Sequence, residues 1–179
     1  MEEGQSGEEA EGVITAVTGA PATQITIAHQ VDSSGTATAP VTVDIAIGAG
    51  TAFSVRTDKL NLGGATPAFD ASHIGKGQRV EADTGSSTAT PMLADKLKLR
   101  EQALVGTVSA ASASGFTLTL NASSAFATLT GQSTVAVSIV SGTNLKVTPA
   151  NTNTVRVRGL IFFNAGAYSM IAARVDDNK

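Results

Sequence analysis

The amino-acid sequence predicts an all-β protein built from two tandem small antiparallel β-barrels. The first observation behind this prediction is composition: 42% of the 179 residues are hydrophobic, only 4% are aromatic, and there is no Trp. A mixture of β-branched and small residues favours strands and turns over helices. The second observation is short alternation of apolar and polar residues between turn-forming segments. The third is that the same order of segments occurs twice, which indicates an internal repeat.

In the first repeat we predict strands at 12–17, 24–28, 41–47, 53–55, 78–83 and 92–99. The alternation is clearest at 41–47, where every second residue is Val or Ile, as in a strand that is buried on one side. At 92–99 the same logic places Leu93, Leu97 and Leu99 on the core face. Asp95 shares that parity, so it is expected to be buried near a barrel end, either as a bulge or strand-end residue or as a functional one. We predict at most one short helix, at 70–74, with Asp70 as its cap.

The second repeat follows the same order, with segments at 104–110, 116–120, 135–139, 143–147, 156–157 and 170–175. Gly106 corresponds to Gly12, and Thr143 corresponds to Thr51. The pair at 156–157, Arg-Val, is matched with the Arg-Val pair at 79–80. We therefore predict three parts: a disordered acidic leader at 1–11, a first barrel at 12–100 and a second barrel at 104–179. One larger sandwich formed by all the strands is the alternative.

Charge and residue types exclude several functions. The formal net charge is −3 and there are no cysteines, which removes disulfides, thiolate zinc sites and thiol nucleophiles. Net negative charge and scarce stacking aromatics oppose nucleic-acid binding. No apolar run reaches the roughly 18 to 20 residues of a transmembrane helix. The acidic leader resembles the tether that follows a removed export or lipoprotein signal, so we expect a periplasmic or cell-surface protein that can be lipid-anchored through that removed segment.

The sequence shows no constellation for catalysis, metal binding or cofactor binding. The two histidines, His29 and His73, both lie in polar segments, and the glycine pairs lack the Lys-Ser/Thr of a phosphate loop. We therefore expect no enzymatic activity, no metal and no cofactor. The one cluster of aromatic residues is Phe162, Phe163 and Tyr168, on either side of a turn at 164–167. These three residues are the best candidates for a ligand-binding surface.

The order of short motifs resembles a known family. It runs from a glycine-valine start through Phe-Thr-Leu-Thr-Leu (116–120), a Val-x-Val-x-Ile strand, a Thr near a break and an Arg-Val pair to a final Ala-x-Arg/Lys-Val strand. The family, of unknown function, occurs as repeated small β-barrel domains, similar to the oligonucleotide/oligosaccharide-binding (OB) fold, in exported bacterial proteins and lipoproteins. The similarity covers both repeats, but the family's usual Gly, clear at Gly159, is replaced around Asp83. It implies OB-like barrels and export, and it transfers no site residues.

The functional expectation is a non-catalytic exported or cell-envelope module with a structural or binding role. The alternatives are a saccharide- or peptide-binding barrel and a virion or surface-layer decoration protein. A protein or glycan is the expected partner, and the chain itself is expected to be a monomer.

Overall fold

The computed structural model describes residues 9–29, 41–57, 60, 62 and 66–178, and these residues form an all-β chain with one short helix. The elements, in chain order, are β1 (Glu9–Thr18), β2 (Gln24–His29), β3 (Val41–Ala46), β4 (Ala52–Val55), β5 (Arg79–Asp83), β6 (Met92–Leu93), β7 (Lys96–Leu99), β8 (Gln102–Ser109), β9 (Gly115–Leu120), α1 (Ala125–Thr130), β10 (Thr134–Leu145), β11 (Thr154–Asn164) and β12 (Ala167–Asp177). The prediction of an all-β chain with two tandem β units is confirmed.

The chain divides into two compact units. The first consists of Met1–Val55 and Phe69–Arg100, and the second consists of Arg56–Ala68 and Glu101–Lys179. The division after Arg100 lies at the predicted end of the first barrel, residue 100. The segment 56–68, which the sequence placed within the first barrel, belongs to the second unit.

The second unit is a closed barrel with the strand order β10-β12-β11-β8-β9. All neighbours are antiparallel except β10 and β12, which run parallel. If β8 to β12 are numbered one to five, the order around the barrel is 1-2-3-5-4. This is the Greek-key arrangement of a five-stranded barrel of the OB type. The core is formed by inward-facing apolar side chains, namely Leu104, Val108, Phe116, Leu118, Leu120, Phe126, Val135, Val137, Val155, Val157, Ile161, Met170, Ala172 and Val175.

The first unit uses the same pairings in a more interrupted form. Its seven-stranded sheet has the order β4-β7-β5-β1-β2-β3-β6. The parallel pairs are β3 with β6 and β4 with β7, and only Ala94 and Asp95 separate β6 from β7. Together β6 and β7 therefore correspond to the single strand β12 of the second unit, while β3 and β4 correspond to β10.

One threonine contact shows that the two units share a framework. The Thr51 hydroxyl donates to the Ala94 carbonyl at 2.8 Å and accepts from the Gly48 N–H at 3.0 Å. The Thr143 hydroxyl donates to the Ala172 carbonyl at 2.5 Å and accepts from the Val140 N–H at 2.9 Å. In both units this side chain lies at the break in the third strand, which is β3 with β4 in the first unit and β10 in the second. It links that break to the strand that runs parallel to the third strand. The predicted match of Thr51 with Thr143 is confirmed.

A second repeated feature is a glycine on the first strand of each unit. A Cβ on Gly12 would lie 2.1 Å from the Ala28 carbonyl oxygen, and one on Gly106 would lie 2.3 Å from that of Thr119. No side chain fits at such distances, so glycine is required where the two strands approach most closely. The predicted match of these two glycines is confirmed.

The fourth strand of the first unit, β5, corresponds to the fourth strand of the second unit, β11. The register of this match is two residues away from the predicted one. Gly12 is opposite Val80, whereas Gly106 is opposite Val155. Val80 is therefore equivalent to Val155, and the match of 79–80 with 156–157 was wrong. A shift of two residues keeps every side chain on the same face of a strand, so alternation alone does not distinguish the two registers.

The predicted core face of the strand at 92–99 is confirmed at Leu97 and Leu99 and was wrong at Leu93 and Asp95. Leu93 is 42% exposed, Ala94 and Leu97 are buried, and Asp95 is exposed rather than buried. The ladder of β7 resumes only at Lys96, so the residues at 94–95 interrupt the alternation. In the second unit, Ala173 is the extra residue where the pairing of β11 with β12 shifts. The predicted burial of Asp95 was therefore wrong, and the residue lies at a strand end, between β6 and β7.

The helix also differs from the prediction. The described residues at 70–74 form a turn, in which the His73 N–H donates to the Asp70 carbonyl at 2.9 Å. The helix of the structure, α1, lies in the second unit, where none was predicted. None of the helices among the described residues has the length and hydropathy to cross a bilayer.

The N-terminal boundary differs as well. β1 begins at Glu9, so residues 9–11, which the sequence placed in the leader, pair with β5. The Glu11 carboxylate forms ion pairs with Arg79 at 2.7 Å and with Arg100 at 3.6 Å, which accounts for its place in the strand. The rest of the leader, at 1–8, lies outside the described residues.

Candidate functional site

The predicted aromatic residues lie at the end of the second barrel where α1 and the β11–β12 turn are found. The helix α1 is short, and its two ends are well capped. The Ser124 side chain accepts from the Ala127 N–H at 3.0 Å, and Gly131 ends the helix in the left-handed region with φ 73°. These caps direct Phe126, the buried residue of the helix, into the barrel core.

The turn between β11 and β12 is a two-residue hairpin loop. Its residues Ala165 and Gly166 have φ values of 48° and 87°, which is the backbone of a type I′ turn. This turn fixes the register of the hairpin, so that Phe163 lies directly opposite Tyr168.

Three rings form a continuous series of contacts, which we call the aromatic end and define as Phe126, Phe163 and Tyr168. The ring centroids of Phe163 and Tyr168 are 5.0 Å apart with a 55° tilt, and those of Phe126 and Tyr168 are 5.3 Å apart at 83°. Phe126 is buried, while Phe163 and Tyr168 are partly exposed. The aromatic end therefore closes this end of the barrel core and presents part of two rings to solvent.

The three predicted residues are thus divided by the structure. Phe163 and Tyr168 come together, but Phe162 does not join them. Phe162 is 2% exposed and, by alternation along β11, lies on the opposite side of the strand from Ile161 and Phe163. Phe126 was not predicted from the sequence. The signal available for it was Ser124 followed by Gly131, a capping residue and a helix stop around a six-residue segment.

Tyr168 is the one titratable group of the aromatic end. Burial raises the pKa of the Tyr168 phenol above its ordinary value of 10.0. The group is therefore a neutral phenol at physiological pH. It offers polar contacts and a ring face, and it is not an acid or base poised for proton transfer near neutrality.

The main charged cluster of the first unit lies on the outer face of β1, β5 and β7. The Glu81 carboxylate accepts from Lys98 at 2.9 Å and also from Arg100, which is shared with Glu11. Glu81 is only 15% exposed, so its carboxylate is compensated mainly by these two cations. With Arg79, which also pairs with Glu11, the cluster joins two carboxylates to three cations and connects three strands, which is a structural role.

The outer face of the second unit carries Arg156, Arg158 and Arg174. Arg158 pairs with Glu101 at 3.1 Å and Arg174 pairs with Asp176 at 2.7 Å. Two of the three arginines are therefore compensated, and this face is not a continuous basic surface.

The remaining candidate is the pair Asp70 and His73. The His73 Nδ1 lies 2.7 Å from the Asp70 carboxylate, which also accepts from the Ser72 N–H at 2.8 Å. The hydrogen bond with His73 lowers the pKa of Asp70 below its ordinary value of 3.8. The side chain of His29 lies outside the described part of the chain. Within that part, no group of three His, Asp or Glu side chains is arranged to hold a metal ion.

Comparison of the chain with models of protein families, with curated proteins and with solved structures gave no match.

Proposed function

We propose that the chain is a non-catalytic module of the cell envelope or of an exported protein, and that it acts through the surfaces of its two β units. One observation carries this proposal: the buried polar side chains serve the framework. Thr51 and Gln78 bond to backbone groups and Thr84 contacts the Met92 sulfur. Among the described residues, every buried side-chain nitrogen or oxygen has a hydrogen-bond partner. Strained or unsatisfied polar groups, which catalytic sites often contain, are not needed for such a role.

Export is tested with the natural gene in its source organism, carrying an epitope tag after the C-terminus. The proposal predicts that the tag is recovered with the envelope or the medium and is digested by protease added to intact cells. A tagged cytosolic enzyme serves as the control for lysis. Recovery of the tag with that enzyme, protected from protease, would contradict the proposed location.

We propose a saccharide- or peptide-binding barrel as the second candidate, because of the position of the aromatic end. In OB-type barrels the loop between the fourth and fifth strands contributes to ligand binding, and Phe163 and Tyr168 flank the equivalent loop here. Partly exposed aromatic rings supply area for stacking on sugar rings or apolar side chains.

Binding is tested by screening glycan and peptide arrays, followed by calorimetry with any ligand found. Phe163→Ala and Tyr168→Ala are each expected to abolish binding. Leu145→Ala is the matched control, because Leu145 is an apolar side chain of the same barrel that is 43% exposed and lies outside the aromatic end. Equal binding by the wild-type chain and both aromatic variants would contradict the second candidate.

A further inference from the structure

The loop between β9 and α1 contains a modification motif. Asn121, Ala122 and Ser123 form the sole Asn-x-Ser/Thr triplet in the sequence of 179 residues, with Ala in the middle position. This pattern marks an acceptor of N-linked glycans when it lies on a surface loop. All three residues are exposed, so the triplet is accessible on the folded chain.

The conformation of Asn121 distinguishes this triplet from a mere match of sequence. The Asn121 Oδ1 accepts from the Ser123 N–H at 3.0 Å and from the Ser123 hydroxyl at 2.9 Å. The backbone carbonyl of Asn121 accepts from the Ser124 N–H at 2.9 Å, which closes a turn. The side-chain oxygen is thus held toward Ser123. The Asn121 Nδ2 makes no hydrogen bond to any other described residue.

This arrangement is suited to a reaction at nitrogen. Two donors on Oδ1 draw electron density from the amide and make the Nδ2 protons easier to remove, while the exposed Nδ2 is the atom that reacts. In this chain the hydroxyl two residues after the asparagine, that of Ser123, supplies the second donor.

We propose that Asn121 is a site of N-linked glycosylation, with a lipid-pyrophosphate-linked saccharide as the donor. The Nδ2 forms a bond to the anomeric carbon of the saccharide, and the bond from that carbon to the pyrophosphate oxygen breaks. The pyrophosphate leaves with the electron pair of that bond, and one Nδ2 proton is released to a base of the transferase. No oxidant or reductant takes part.

The site is compatible with the fold. The nearest core residue of the helix, Phe126, is buried, and the capping side chain is that of Ser124 rather than Ser123. A saccharide on Asn121 therefore extends into solvent without disturbing the barrel. Modification in the cell rests on the proposed export, because these transferases act outside the cytosol. The ability of Asn121 to act as an acceptor does not depend on export.

The test uses the purified folded chain, a purified single-subunit oligosaccharyltransferase that accepts Asn-x-Ser sites, and a lipid-pyrophosphate-linked oligosaccharide. Mass spectrometry is expected to show one added glycan on Asn121. Asn121→Gln and Ser123→Ala are expected to lose it, and Ser123→Thr to retain it. Thermal melts of the three variants that match the wild type show that the losses do not come from unfolding.

A second triplet gives a matched control. Asn153→Ser completes an acceptor triplet at Asn151, an exposed residue whose Oδ1 already accepts from the Ala111 N–H at 2.9 Å. We expect this variant to be modified mainly at Asn121. Equal modification of both asparagines would overturn the argument from conformation. No modification of the wild-type chain, under conditions in which an Asn-x-Ser peptide is modified, would overturn the proposed site. Because the assay is done with purified components, its outcome is independent of whether the protein is exported.

Discussion

Thr152 occupies a backbone position that suits glycine, and this gives a prediction of increased stability. Its φ is 75°, and the equivalent residue of the first unit is Gly77, with φ 88°. The equivalence follows from the hydrogen bonds: the Gly77 N–H donates to the Ile14 carbonyl at 2.8 Å, and the Thr152 N–H donates to the Val108 carbonyl at 2.8 Å. A β-branched residue with such a φ is a genuine outlier.

The magnitude follows from two opposing effects. A non-glycine residue held in the left-handed region costs about 1–3 kcal/mol. Introducing glycine adds conformational freedom to the unfolded chain, which costs roughly 0.5–1 kcal/mol. The Thr152 side chain is exposed, and its N–H bond to the Val108 carbonyl is retained in a glycine variant. Thr152→Gly should therefore raise the free energy of unfolding by about 1 kcal/mol.

The assay is urea unfolding followed by circular dichroism. Thr154→Gly is the matched control, because Thr154 is an exposed threonine two residues away in β11, where glycine should lower the free energy of unfolding by roughly 0.5–1 kcal/mol. Gly77→Thr, the reverse change, should lower it by about 1 kcal/mol, since the same two effects act with opposite sign. If Thr152→Gly destabilises the chain as much as Thr154→Gly does, the backbone strain inferred at Thr152 is refuted.

Four further predictions use other features of the two units. Thr51→Val should lower the free energy of unfolding by about 1–3 kcal/mol in urea unfolding, because Gly48 and Ala94 lose a buried partner. Ala165→Asn should raise it by roughly 0.5–1 kcal/mol, since Asn tolerates the left-handed region of a type I′ turn better than Ala. The tyrosinate absorbance of Tyr168, the single tyrosine, should titrate above pH 10.0 because burial raises its pKa; the stability that this group contributes is present below that pH and is lost as the pH rises through the folded-state pKa. The pKa of Asp70 should lie below 3.8 by NMR titration and return toward that value in His73→Ala; its contribution is present above pH 3.8 and is lost as the pH falls through the folded-state pKa.

Features that depend on alternation and on local repeats could be predicted from the sequence. Ile45 and Ile47 are buried as the period of two requires, whereas Val41 on the same predicted face is 48% exposed. The matches of Gly12 with Gly106 and of Thr51 with Thr143 hold. These matches could be predicted because each residue type meets a specific structural requirement. Glycine allows the close approach of two strands, and threonine supplies a hydroxyl at the strand break.

The rest depends on information that is not local. An interruption such as that at Asp95 reverses the exposed face of a strand, and it shows only in the pairing with the neighbouring strand. The two-residue difference in the match of β11 with β5 is likewise visible only in the pairing of these strands with β8 and β1. The aromatic end joins Phe126 to Tyr168 across 42 residues of sequence, which no local pattern shows. The long connection in the first repeat explains a further difference: equivalent residues are 92 apart at Thr51 and Thr143 but 75 apart at Val80 and Val155.

The central claim is that both units are built on one framework, in which the third strand runs parallel to the last. It is tested most directly by NMR, through backbone NOEs between paired parallel strands. The structure predicts NOEs around Ile45 and Met92 in the first unit, and around Val137 and Met170 in the second. Observation of both sets would support a repeated framework. If either set is absent while the antiparallel NOEs of the same unit are present, a framework shared by the two units is contradicted.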